Sequence, residues 1–446
     1  MSIDKIPFTR LLVFAGCVAV SPSILAIGSG GLAQPTLDAI ERRVEQSAER
    51  AVQRAAEERT VERVVHQTVE KATTRVEKLA GRLPIHRRDG REAFIDARVE
   101  NNWRAVERQW LVTITPDETE LFDQPGITPL EQTELSGLGI TILRFRVSEA
   151  LDSLDALKSL FPEDIADRLD RNHIYNPETG SAIGSPENPK ASRLHCDAPL
   201  NIGMVDTAIQ TDHPSFANAN IVQKRFLAEE QLIEPDDHGT AVASLLVGTL
   251  PQHPEPRLGN ATLLNASVFF GRNNESSGAT LMHLVEGLDW LVSQKADVIN
   301  VSMAGPDNTL LRLAIRRIIE NGIPVVAAVG NQGPSAPPLF PAAYPDVVGI
   351  TAISRVRRPY RWANRGEQVD FAAIGVDVMV ASSNGHYERQ SGTSLATPLA
   401  SARLACDRVS TGAAIADLFE GLTILAIDLG EPGKDPIFGY GLLDRL

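Results

Sequence analysis

Cysteine is scarce in this chain, with three in 446 residues. That excludes a small scaffold stapled by disulfides. Cys17 lies in the first apolar stretch, which leaves Cys196 and Cys406; the sequence leaves open whether these two meet. Positive charge is also short, with 43 Lys and Arg against 57 Asp and Glu, a net charge of −14. Such a balance argues against a nucleic-acid binder, whose footprint is basic. Beyond the first 34 residues there is no unbroken apolar run of spanning length. With 43% hydrophobic and 22% charged residues, the composition is that of a soluble globular protein, and the length allows about two or three domains.

Residues 1–34 have the form of an export signal. Lys5 and Arg10 precede a mostly apolar stretch at 11–27, broken by Pro22, and Gly31-Leu32-Ala33 offers a cleavage site. Retention as an anchor through 11–27, and lipidation at Cys17, remain open. Within 35–92, residues 36–82 place apolar side chains three or four apart among mixed charges, which predicts one long amphipathic helix. It reads equally as a spacer or as a self-association helix, and residues 84–92 read as a basic linker. In residues 93–175, strands are expected at 108–114, 140–147 and 172–176, with a helix at 149–160. Residues 176–195, rich in Pro, Gly, Ser and Asn, read as a linker.

From residue 196 onward, four short motifs carry chemistry. The run Asn201-Ile202-Gly203-Met204-Val205-Asp206 is a buried strand ending in a carboxylate, at the C-terminal end of the strand, where parallel folds place their sites. His238 opens a helical run; its imidazole suits a general base near neutral pH. Val329-Gly330-Asn331 ends another strand with an amide that can donate to an oxyanion. Residues 391–399 read Ser-Gly-Thr-Ser-Leu-Ala-Thr-Pro-Leu. Here Gly392 is expected to supply a sharp turn, Ser394 to stand at a helix N-terminus, and Pro398 to sit in that helix's first turn. Each motif alone has an ordinary explanation as a cap or turn; the four together do not. Short strands at 265–270, 296–301 and 323–329 alternate with helices at 279–294 and 308–321, which predicts a parallel sheet covered on both faces.

The order Asp, His, Asn, Ser and the Gly-Thr-Ser-Leu-Ala-Thr-Pro box resemble the subtilisin-like serine peptidases, or subtilases, over roughly residues 195–446; subtilisin is itself the standard example of that triad order. The resemblance implies a triad of Asp206, His238 and Ser394, with Asn331 and the Ser394 amide as oxyanion donors. It implies substrate strands at Ser277-Gly278 and Ser302-Met303-Ala304-Gly305. The primary pocket would lie between that segment and Ala328 to Gly330, with Leu339 near its floor. Ala304 and Leu339 add bulk there, so small or medium apolar residues are expected before the scissile bond. Ala208 and Ala304 stand where relatives often carry Gly, and Ala241 where many carry a second His; no catalytic group is lost. The small α+β unit at 93–175 resembles the family's propeptide, a folding helper and inhibitor whose tail lies in the active site, with cleavage expected somewhere after Tyr175. The resemblance also allows calcium, although no loop here has convincing ligand spacing, so no metal residues are assigned.

The expectation is therefore an α/β, subtilisin-like domain at 196–446, preceded by the small α+β domain and the long N-terminal helix. Its function would be self-processing serine endopeptidase activity on polypeptides, in the periplasm or outside the cell. Its own propeptide-like domain would be a partner. The alternative is a non-catalytic scaffold of the same fold that uses the N-terminal helix for interaction. An esterase of the α/β-hydrolase type is disfavoured by the lack of a Gly-x-Ser-x-Gly elbow.

Overall fold

The computed structural model describes residues 81–178, 194–227, 231–272 and 277–443. All but 81–83 belong to one compact unit, 84–272 with 277–446; the second unit comprises 1–83 and 273–276. The leader and nearly all of the helix expected at 36–82 lie outside the described residues, and Arg82 already opens a strand.

The N-terminal part consists of β1 (Arg82–His86), β2 (Glu92–Arg98), β3 (Arg104–Thr113), β4 (Ile127–Leu135), β5 (Ile140–Val147), short helices α1 (Leu154–Lys158) and α2 (Glu163–Ala166), and β6 (Leu169–Pro177). Strand β3 pairs antiparallel with β2, β5 and β6, and β4 pairs with β5. The two-residue side-chain period divides the sheet's faces. Trp110, Val112, Leu143 and Phe145 pack with Phe122, Leu157 and Ile165 in one core. Leu111 and Ile142 point the other way, into a core shared with Leu284, Leu288, Leu311 and Ile315 of the following domain. Each such fully buried side chain contributes about 1.5–3 kcal/mol.

Three expectations change here. Strand β1 takes residues 84–86 of the segment read as a linker and β2 opens at its last residue, Glu92; the alternating burial of β1 marks Leu83 and Ile85 as inward. The helix at 149–160 is interrupted at Asp152, whose carboxylate accepts from Trp110 Nε1 at 3.0 Å. It restarts where Ser153 caps Ala156 N–H. Strand β6 runs past residue 175 to Pro177, so the first residues of the expected linker are strand.

The following domain contains β7 (Asn201–Asp206), β8 (Asn220–Arg225), α3 (Asp237–Leu246), β9 (Thr262–Ser267), β10 (Phe270–Gly271), β11 (Ser277–Thr280), α4 (Leu281–Ser293), β12 (Val298–Val301), β13 (Met303–Ala304), α5 (Thr309–Glu320), β14 (Val325–Ala328), β15 (Val348–Ile353), β16 (Phe371–Ile374), β17 (Val378–Ala381), β18 (Tyr387–Gln390), α6 (Thr393–Thr411) and α7 (Ile415–Leu425). Its main sheet is parallel, in the order β16-β15-β14-β12-β7-β9-β8. The central strands are apolar throughout because both faces are covered. Helices α3 and α6 bury one face, and α4 and α5 the other. This is the expected subtilisin-like α/β architecture, with an antiparallel region before it. A Cys196–Cys406 disulfide ties the start of the domain to α6.

Candidate active site

Asp206 ends β7 and His238 is the second residue of α3. The two residues are 1% and 5% exposed, and His238 Nδ1 lies 2.7 Å from Asp206 Oδ1. A carboxylate only accepts, so Nδ1 carries the proton and Nε2 is left with its lone pair. Burial opposes charge on His238, but the charge and hydrogen bond of Asp206 outweigh it, with Glu178 adding to them, and the net shift is upward. The Asp and His motifs are also joined through their backbones. Gly239 N–H donates to Thr207 Oγ1 at 2.7 Å, and Gln210 N–H to Thr240 Oγ1 at 2.8 Å. A Cβ on Gly239 would lie 2.5 Å from the carbonyl oxygens of Thr207 and Ala208, so only glycine permits this approach.

Ser394 is the second residue of α6 and is 1% exposed. Gly392 is extended (φ 161°), so the expected sharp turn is not its reason for being glycine. Space is the reason: a Cβ there would lie 3.1 Å from Glu178 O, 3.2 Å from Ser394 Oγ and 3.3 Å from Asn331 Nδ2. These three atoms surround one point. Asn331 Oδ1 accepts from Thr393 N and Oγ1, both at 3.0 Å. Its Nδ2 is thereby aimed at the site, where it is buried without a partner. Pro398 stands in the second turn of α6, not the first. Having no N–H, it leaves the Ser394 carbonyl without its helical donor. Ser302 Oγ replaces that donor at 3.0 Å, and itself accepts from Asn300 Nδ2 at 2.9 Å.

The cleft holds the end of β6. Tyr175 and Ile174 pair with Ala279 and Thr280 of β11, while Asn176 and Pro177 pair with Ala304 and Met303 of β13, both antiparallel. Glu178 N–H donates to Ser302 O at 3.4 Å. The Ser394 hydroxyl donates to the Glu178 carbonyl oxygen. The Glu178 carboxylate, 5% exposed, accepts from Asn331 N–H at 2.6 Å. Two residues of the expected substrate strand, Ser277 and Gly278, pair instead with Gly271 and Phe270 of β10. Gly278 still abuts Ile174. Gly305 makes room for the Tyr175 ring, whose hydroxyl donates to Pro306 O at 3.1 Å. Ala328 is buried within β14. Gly330 has φ +106° and abuts the buried Leu339 side chain, 2.6 Å from where a Cβ would lie.

The sequence did not mark Glu178 or Tyr175 as site residues. Nothing local distinguishes them; only the register of β6 does. The residue whose carbonyl meets the Ser394 hydroxyl is a glutamate.

Among the described residues no group of three or more His, Cys, Asp or Glu could hold an ion. No helix of the described residues is long and apolar enough to cross a membrane.

Residues 199–441 match the model of the subtilase family, over half of the chain. The minor extracellular protease Epr of Bacillus subtilis (strain 168) is 33% identical over 38% of this chain and 27% of its own length. The major intracellular serine protease of the same organism is 29% identical over 46% of this chain and 67% of its own. Subtilisin E is 26% identical over 56% and 68%. A solved mutant of the protease domain of PatA is 25% identical, over 56% of this chain and 94% of that one, at a TM-score of 0.49.

Proposed function

The chain belongs to the subtilase family of serine peptidases, and on that premise we propose that it is an endopeptidase that cleaves its own chain between Glu178 and Thr179. The observation that carries this is the Ser394 hydroxyl resting on the Glu178 carbonyl, at the end of a strand bound as a substrate would be. Ser394 Oγ attacks the Glu178 carbonyl carbon as His238 Nε2 takes its proton. Asp206 holds the imidazole in the required tautomer and stabilises the imidazolium. The carbonyl oxygen passes to Asn331 Nδ2 and the Ser394 N–H, donors fixed before reaction. The carbon–nitrogen bond then breaks, and His238 delivers the proton to the Thr179 amine. Water, activated by His238 in turn, releases the Glu178 carboxylate and restores Ser394.

In this reading residues 84–178 are a propeptide that remains in the cleft as product and inhibitor, its sheet docked on α4 and α5. The Cys196–Cys406 disulfide suits an oxidising compartment, and so supports export. The intact constellation disfavours a non-catalytic scaffold. The test is turnover of an anilide carrying Tyr-Asn-Pro-Glu. Ser394→Ala should abolish it, and Asn331→Ala should lower kcat about 10²–10³-fold, a range set by subtilisin's own asparagine. Unchanged turnover in either variant refutes the assignment.

A further inference from the structure

Among the described residues no Lys or Arg pairs with the buried Glu178 carboxylate. Its carboxylate takes one hydrogen bond, from Asn331 N–H at 2.6 Å. Among the described residues the charge that draws it toward ionisation is that of His238, which Asp206 already engages. The groups shown next to it are neutral: Ser302 O accepts the Glu178 N–H at 3.4 Å, and Asn331, whose N–H reaches the carboxylate, follows Gly330, which abuts Leu339 and Asn364. A charge buried with so little compensation is costly, whereas a neutral acceptor of the same shape is not.

Resting on the peptidase reading, we propose that the primary pocket selects a neutral side chain bearing a hydrogen-bond acceptor, glutamine or protonated glutamic acid, and that Glu178 makes self-cleavage weaken as pH rises. Burial raises the Glu178 carboxyl from its ordinary value to about 7, with Asn331 N–H and His238 only partly offsetting it. The seated state therefore holds the proton more tightly than the free chain. Seating is fully favourable below the carboxyl's free value, weakens as pH climbs, and is weakest above about 7. A shift of this size corresponds to a factor on the order of 10² in occupancy.

His238 must be neutral to accept a proton, so the raw pH profile mixes two titrations. Glu178→Gln keeps the shape and the acceptor; it also removes Glu178's part in raising His238, which leaves more neutral imidazole at low pH and so opposes the expected rise, and a ratio that still rises with pH reports residue 178 itself. The experiment follows release of the fragment beginning at Thr179 from the full-length chain by intact mass. It compares wild type, Glu178→Gln and Glu178→Phe at pH 5.5 and 8. Melting of each in the Ser394→Ala background establishes that it is folded. The expected ratio of Glu178→Gln to wild type rises at least tenfold between the two pH values, with Glu178→Phe slower than Glu178→Gln at both. An unchanged ratio, or a Glu178→Phe chain that folds and matures as fast as Glu178→Gln, overturns the selectivity while leaving the peptidase reading standing. If no chain matures at either pH, both fall.

Discussion

The helix that carries Ser394 contains a proline whose cost is met by one hydroxyl. Pro398 cannot donate to the Ser394 carbonyl, and Ser302 Oγ does so at 3.0 Å; both serines are 1% exposed, so no water substitutes easily. Ser302→Ala strands that carbonyl. A buried acceptor left unpaired costs about 1–3 kcal/mol, or roughly 2–10 °C in melting temperature for a domain of this size. Pro398→Ala restores a backbone N–H at the correct helical position. In the double variant that N–H satisfies the carbonyl that Ser302→Ala exposed. Asn300 Nδ2 loses its acceptor in both the single and double Ser302 variants, so that term cancels in the cycle. Melting of all four chains by calorimetry, in the Ser394→Ala background to prevent self-digestion, should give a coupling of about 1 kcal/mol, with Pro398→Ala offsetting part of the Ser302→Ala loss. Strict additivity would refute the idea that Ser302 stands in for the missing donor.

Two further outcomes follow from the scaffold. Arg171 is 6% exposed, forks onto Glu100 at 2.6 and 2.7 Å, binds Asp152 at 2.7 Å and lies over the Trp110 ring. Arg171→Ala removes these charge-assisted bonds and the ring contact while Glu100 stays half exposed, and should destabilise the N-terminal domain by about 1–3 kcal/mol, read as a lower melting temperature; an unchanged melt would show the cluster to be solvated. The Cys196–Cys406 disulfide closes a loop of about 210 residues, so Cys406→Ser should cost about 2–5 kcal/mol, and an equal melting temperature with and without reductant in wild type would contradict the bond's structural role.

The parallel domain was legible because its signals are local. Apolar strands end in the chemical residues, and the glycines beside them mark close approaches, as at Gly239. The site around Asp206, His238, Asn331 and Ser394 could therefore be assembled from four short motifs. The N-terminal sheet was less legible. Strand β4 is largely exposed, so no alternation betrays it. Strand β2 is only partly buried, for the same reason. Pro398 was misplaced by one turn because the boundary of α6 depends on Gly392, whose role is set by three atoms from distant segments. Glu178 was invisible for a related reason: its importance comes from the register of β6 between β11 and β13, a property of pairing across more than 100 residues.

The account stands or falls on the bond after Glu178. Intact mass and N-terminal sequencing of the purified full-length chain, wild type beside Ser394→Ala, test it directly. The account predicts a wild-type fragment beginning at Thr179 and a Ser394→Ala chain that stays joined there. A wild-type chain that remains joined at this bond, or one cut at another bond in a Ser394-dependent manner, would contradict it.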